Sequence, residues 1–245
     1  MRKYVFTNET IKIDGHILHR IIAVRDFGRV KAGEIGGFIE KEENLSHHFY
    51  AWVGSSAKVY GNAMVYGDAW IFGEAEVSGN AQVYDDAWVY GSARIQGNAK
   101  VYESARVSDR ATVSGEANVS GEAWIYGDAM VYDNARVSDL AKVGVNAKVH
   151  DNAKVSGHAW VYVSAHVNGN SKVYGDAKVS GDAKVSGESE VYESACVNGN
   201  ARVSDKAKVS GHAWVFGEAE VSGDAQVYGN ARIQGNAKVE EGRIK

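Results

Sequence analysis

Eight histidines, one cysteine and six tryptophans are the residues of this 245-residue sequence from which a site would most readily be built. His16, His19, His47 and His48 fall in the first fifty residues, and His150, His158, His166 and His212 in the second half. A histidine base needs an oriented partner, and a zinc site needs several ligands converging on one point. His158 and His212 sit in two copies of the same hexamer, SGHAWV, a whole number of hexamers apart, which reads as duplication rather than as a site. His150, His158 and His166 stand as weak catalytic candidates. Cys196 lies between Ala195 and Val197, and nothing around it would activate a thiol. Nucleophile-elbow, phosphate-loop and dinucleotide motifs are absent.

The elements that must position these side chains come from one repeat. From Val53 to Val239, every sixth residue is Val or Ile, 32 positions without an insertion or deletion. The residue two before each is Ala in 30 cases and Ser at Ser171 and Ser189. The residue two after each is Gly in 20 cases and Asp in six more. A period of six matches no α-helix. A-x-V puts Ala and Val on one face of a short strand, and Gly or Asp, tolerant of left-handed backbone, marks a bend. The tryptophans give the circuit. Every spacing between Trp52, Trp70, Trp88, Trp124, Trp160 and Trp214 is a whole multiple of three hexapeptides. Three hexapeptides therefore make one coil. The expected fold is all-β, a single-stranded, triangular parallel β-helix of ten to eleven coils, with stacked Val and Ala inside. Asn62, Asn80 and Asn98 should stack at one corner, and Asn134, Asn152 and Asn170 in the same column, as amide ladders.

Residues 1–50 break the pattern and read as a β cap, with a hairpin turn at Asp14-Gly15; residues 51–239 form the helix and 240–245 a charged tail. The cap would cover unpaired backbone and apolar core at the first coil. On this frame His150 and His166 come roughly 8 Å apart with no third ligand, so no metal set is expected.

The A-x-V-x-G-x array over 51–239 resembles the hexapeptide-repeat, left-handed β-helix superfamily, the trimeric LpxA-like proteins, although the glycine falls one place later than the family's. The opening IAVRDFGRVKAGEIGGFIEKEENLS is similar to that of YdcK-type hexapeptide-repeat proteins. The resemblance implies left-handed coiling and a homo-oligomer, a trimer above all. It also implies two enzyme readings: acyl transfer from acyl-CoA or acyl-carrier protein at an interfacial His beside a loop, and a carbonic anhydrase with three His on zinc. This array has no interrupting loop.

Outward positions are more informative. Trp precedes Val or Ile on one face, with Phe72, Tyr90, Tyr126, Tyr162 and Phe216 following on that face. Tyr66, Tyr84, Tyr102, Tyr174, Tyr192 and Tyr228 stand on the preceding face, next to the tryptophans across a corner, and the third face is polar. Leu140, Val145 and Val163 occupy corners where polar residues or Gly are usual. The expected function is a non-catalytic scaffold or binding protein. Its contact residues would be Trp52, Trp70, Trp88, Trp124, Trp160, Trp214, Tyr162, Leu140, Val145 and Val163. The alternatives are an acyltransferase using acyl-CoA and a glycan or polymer binder along the aromatic ridge; otherwise no cofactor is expected. Twenty-seven basic against 31 acidic side chains give no pull toward nucleic acid or anionic lipid. No apolar run approaches the ~18 residues of a membrane span. The opening residues show no signal-peptide core, so a cytoplasmic protein is expected.

Overall fold

The computed structural model describes residues 2–245 and divides into two compact units, one ending at Gly121 and the other spanning Glu122–Lys245. Both are all-β, and both are left-handed parallel solenoids with three parallel sheets around a triangular core. No helix among the described residues is long and apolar enough to cross a membrane.

The first unit opens with strand β1 (Tyr4–Ile13) paired antiparallel to β2 (His16–Ala23). The hairpin turns at Asp14 and Gly15, with φ of 47° and 87°, the two positive values that a tight twisted hairpin needs. Strand β3 (Ile35–Ile39) pairs antiparallel to β2 and parallel to Lys58–Val59, so it converts a hairpin into a stack. Gly36 and Gly37 permit this approach: a Cβ on Gly37 would lie 2.4 Å from the Ala57 carbonyl oxygen. Four coils follow, from Trp52–Val53 to Asn118–Val119.

The first coil has no coil before it, so its carbonyls need other donors. The cap supplies them. Lys3 Nζ donates to Ala51 O at 2.6 Å, and Arg20 Nη1 to Ser55 O at 3.2 Å. The N–H groups of Phe38, Glu40 and Ser46 donate to Ala57, Val59 and Val65. Asn44 Nδ2 donates to both Gly61 O and Ala63 O. Lys3 is fully buried beneath the Phe27 ring, and burial, then Arg25, lowers its pKa to about 8 against the pull of Asp68.

The second unit runs through seven coils from Trp124–Ile125 to Arg243–Ile244. In both units the common pattern is three N–H groups sent from a hexapeptide to the next coil, as Lys184, Ser186 and Glu188 do to Ala201, Val203 and Asp205. The Ala and Val columns are fully buried. Where Ser replaces Ala, the hydroxyl is satisfied locally: Ser171 Oγ and Ser189 Oγ donate to Asn168 O and Ser186 O at 2.7 Å. Arg243–Ile244 adds a last rung, pairing with Gln226–Val227 one position short of the regular register.

Candidate functional site

Each corner is set by the residue two after the core Val. Every such residue from Ser55 to Gly235 has positive φ. Its N–H is not among the three that bond the next coil, so the ladder leaves one donor over at each corner. Corner carboxylates serve that donor one coil on. Asp139 accepts from the N–H of Gly157, Asp151 from Gly169 and Asp205 from Gly223, at 2.9, 2.9 and 3.1 Å. Asx side chains thus suit these corners twice, by tolerating left-handed backbone and by accepting from the neighbouring rung.

Two corners break this rule. Val145 and Val163, one coil apart, have φ of 61° and 64°. A β-branched residue in that region is a steric outlier, at a cost of roughly 1–2 kcal/mol each. Neither side chain gains burial in return, since they are 42% and 41% exposed. Between this corner and the one holding exposed Leu140 lies the face that carries Trp124, Lys142 and Trp160 in register. Tyr126 lies flat over Gly144, where a Cβ would meet its ring at 2.0 Å, and the Trp124 and Tyr126 rings are 4.9 Å apart. Trp160 is exposed, with Tyr162 edge-on at 6.1 Å and Lys142 Nζ 4.7 Å from its ring centre. The result is one patch over three successive rungs, bounded by Leu140 on one side and the strained valines on the other.

Four segments, 57–73, 81–97, 123–139 and 225–241, match the family described as YdcK beta-solenoid repeat. Leu140, Val145, Trp160 and Val163 lie outside all four. No curated protein matches the chain. Solenoids of this hexapeptide type are typically oligomeric.

The coils distribute the expected contact residues unevenly. Trp52 is corrected: it is 1% exposed, covered by Phe27 at 5.5 Å, because the cap folds over the first coil. Trp70 and Trp88 are half-buried and stack at 6.3 Å. The aromatic ridge is interrupted in the second unit, where Trp160 sits between Lys142 and Lys178, and Trp214 between Cys196 and Arg232. Tyrosines stack along their own columns: Tyr66 on Tyr84 at 4.8 Å, Tyr84 on Tyr102 at 5.1 Å. Desolvation by burial, then its tyrosine neighbours, pushes the Tyr84 phenol up to about 12.

The histidines occupy different columns. His158 follows Leu140 one coil on. His166 pairs in register with Lys148 and Lys184; burial, then these two lysines, lowers its pKa. His150 stacks on Tyr132 at 4.7 Å, with Nδ1 3.3 Å from Asp151 Oδ1. Asp133, His150 and Asp151 place one ligand atom each within 4.8 Å of one another, a trio the sequence reading missed and the coil-to-coil register would have found. Its carboxylates already have work: Asp133 accepts from the Asp151 N–H at 3.3 Å and Asp151 from the Gly169 N–H. Burial pushes the Cys196 thiol up, away from a nucleophilic thiolate.

Proposed function

We propose that this protein is a non-catalytic β-solenoid scaffold that self-associates through the face of Leu140, Val145, Trp160 and Val163, as a trimer by its family resemblance. The observation that carries this reading is the pair of exposed, left-handed valines. Gly or Asp would relieve the strain, and both are the rule at every neighbouring corner. Strain of this kind persists where something other than the isolated fold benefits from the side chain. Burying a Val or Leu on association returns roughly 1.5–3 kcal/mol each, enough to offset it. The acyl-transfer reading is less favoured because the array has no interrupting loop and His150, His158 and His166 stand in three different columns.

Size exclusion with light scattering tests the proposal. The wild type should run as an oligomer, and Leu140→Asp with Val163→Asp as a monomer. Val163→Gly separates assembly from folding: it should weaken association while raising monomer stability by about 1 kcal/mol. A monomeric wild type, or an oligomer indifferent to both variants, overturns the reading.

A further inference from the structure

A different face of the second unit carries an interrupted ring column. Tyr174 and Tyr192 stack at 5.1 Å with planes 5° apart. The next rung carries Ser210, and the one after it Tyr228. Rings one rung apart in these columns lie 4.8 to 5.1 Å apart. Omitting one ring therefore leaves two tyrosines about 10 Å apart, the separation at which a third flat ring stacks on both. An open cleft of about 510 Å³ lies here, lined by Tyr192, Ser210, Tyr228, Lys208, Gln226 and Arg243 among others.

On the Tyr192 side the gap is not closed as the comparable one is, and Ser210 lies 8% exposed at its foot. At Gly144 the Tyr126 ring has moved across the vacant rung. At Ser210 the Tyr192 ring keeps its stack on Tyr174. The Ser210 hydroxyl, on the cleft floor, makes none of the carbonyl bonds that tie down Ser171 and Ser189. The acids at the rim are engaged: Glu193 accepts from the Gly211 N–H, and Glu190 is held by Lys172 at 2.9 Å. Lys208 reaches Glu190 only at 3.8 Å, and Arg243, two rungs on in the same column as Lys208, also lines the cleft.

We propose that the missing rung at Ser210 is a binding slot for a planar heteroaromatic ring bearing an anionic substituent. The ring stacks between Tyr192 and Tyr228. A heteroatom on its edge meets the Ser210 hydroxyl, and the anion takes Lys208 and Arg243. A saturated sugar lacks the two flat faces that a ring between Tyr192 and Tyr228 presents to both phenols, and a cation would meet Lys208 and Arg243. The slot is independent of the self-association patch, so either can fail alone.

Calorimetric titration of the full chain with adenosine 5′-monophosphate and with nicotinate tests this, with adenosine and ribose 5-phosphate as partial probes. At least one of the two ring anions should bind below roughly 1 mM. Adenosine should bind more weakly than the monophosphate, and ribose 5-phosphate not at all. The decisive variant is Ser210→Tyr, which completes the column as Tyr174 and Tyr192 do and so preserves the fold. It should abolish binding with unchanged circular dichroism. Lys208→Gln should weaken the monophosphate about tenfold and leave adenosine unaffected. Failure of both ring anions to bind near roughly 1 mM, or undiminished binding by Ser210→Tyr, overturns the proposal.

Discussion

At the scale of single residues, the fold tolerates little apart from its period, and its exceptions are concentrated in the cap and at a few corners. Lys3 shows what an exception costs. Its ammonium is buried because Ala51 O has no preceding coil to bond it, and a lysine is long enough to reach. The pKa falls from 10.5 to about 8, so the folded protein sheds this proton before the unfolded chain does. Between these values the unfolded state binds more protons, and stability therefore rises with pH. Below about 8 the full penalty is present; above 10.5 it is gone. The cap should gain up to about 3 kcal/mol across this window. Hydrogen exchange of the β1 and β2 amides from about pH 7.5 to 9.5, corrected for intrinsic rates, measures it. Lys3→Met should flatten the profile, at a cost of about 1 kcal/mol for the orphaned carbonyl. Wild-type protection that stays level with pH would show that Lys3 carries no such penalty.

At the scale of the hexapeptide, the corner is the unit with a rule. The sequence shows Gly or Asp there, and left-handed backbone explains both. It does not show why Asp and Glu recur at these corners, because the reason is a bond between coils: the carboxylate takes the one N–H that the ladder leaves over. That bond depresses the Asp151 carboxyl, with the Gly169 N–H the largest cause and His150 a lesser one. A depressed carboxyl stabilises the fold above its ordinary pKa of about 4, and the benefit is lost as pH falls through the lower folded value. Asp151→Ala should therefore cost up to about 1 kcal/mol more at pH 7 than at pH 2, less for its solvent exposure, since at low pH only the lost tolerance of left-handed backbone remains. Urea midpoints at the two pH values check this; an equal loss at both would assign the effect to backbone strain alone. Trp52 was illegible for a related reason. Its period puts it in line with Trp70 and Trp88, and only the fold of residues outside the repeat, with Phe27 above it, takes it out of solvent. The Val145 and Val163 corners were legible as deviations, since a strict repeat makes every departure visible, but their strain needed φ.

At the scale of the whole array, the core and the surface obey different periods. Inside, every hexapeptide is equivalent, because all three faces bury the same Ala and Val. Outside, columns repeat once per coil, because only every third hexapeptide returns to the same sheet. Deletions separate the two. Removing residues 200–217 joins Gly199 to Glu218 and excises one full coil, so every remaining side chain keeps its column, and the Tyr174–Tyr192 stack and the Lys172–Glu190 pair are both retained. Removing 182–187 alone, a single hexapeptide, satisfies the core equally well but moves all later residues one face round. Tyr192, Ser210 and Tyr228 would then leave the column of Tyr174, and Lys172 would lose Glu190, its partner at 2.9 Å. Stability in such arrays is close to a sum of repeat and neighbour terms. The full-coil deletion should therefore lower the thermal midpoint only slightly, while the single-hexapeptide deletion lowers it more despite removing less chain. The excess measures what the outer columns contribute, a ring stack and an ion pair at roughly 0.5–1.5 and 0–1 kcal/mol. If the single-hexapeptide deletion proves the milder of the two, the outer columns add nothing to stability. The surface would then be free to vary for binding alone.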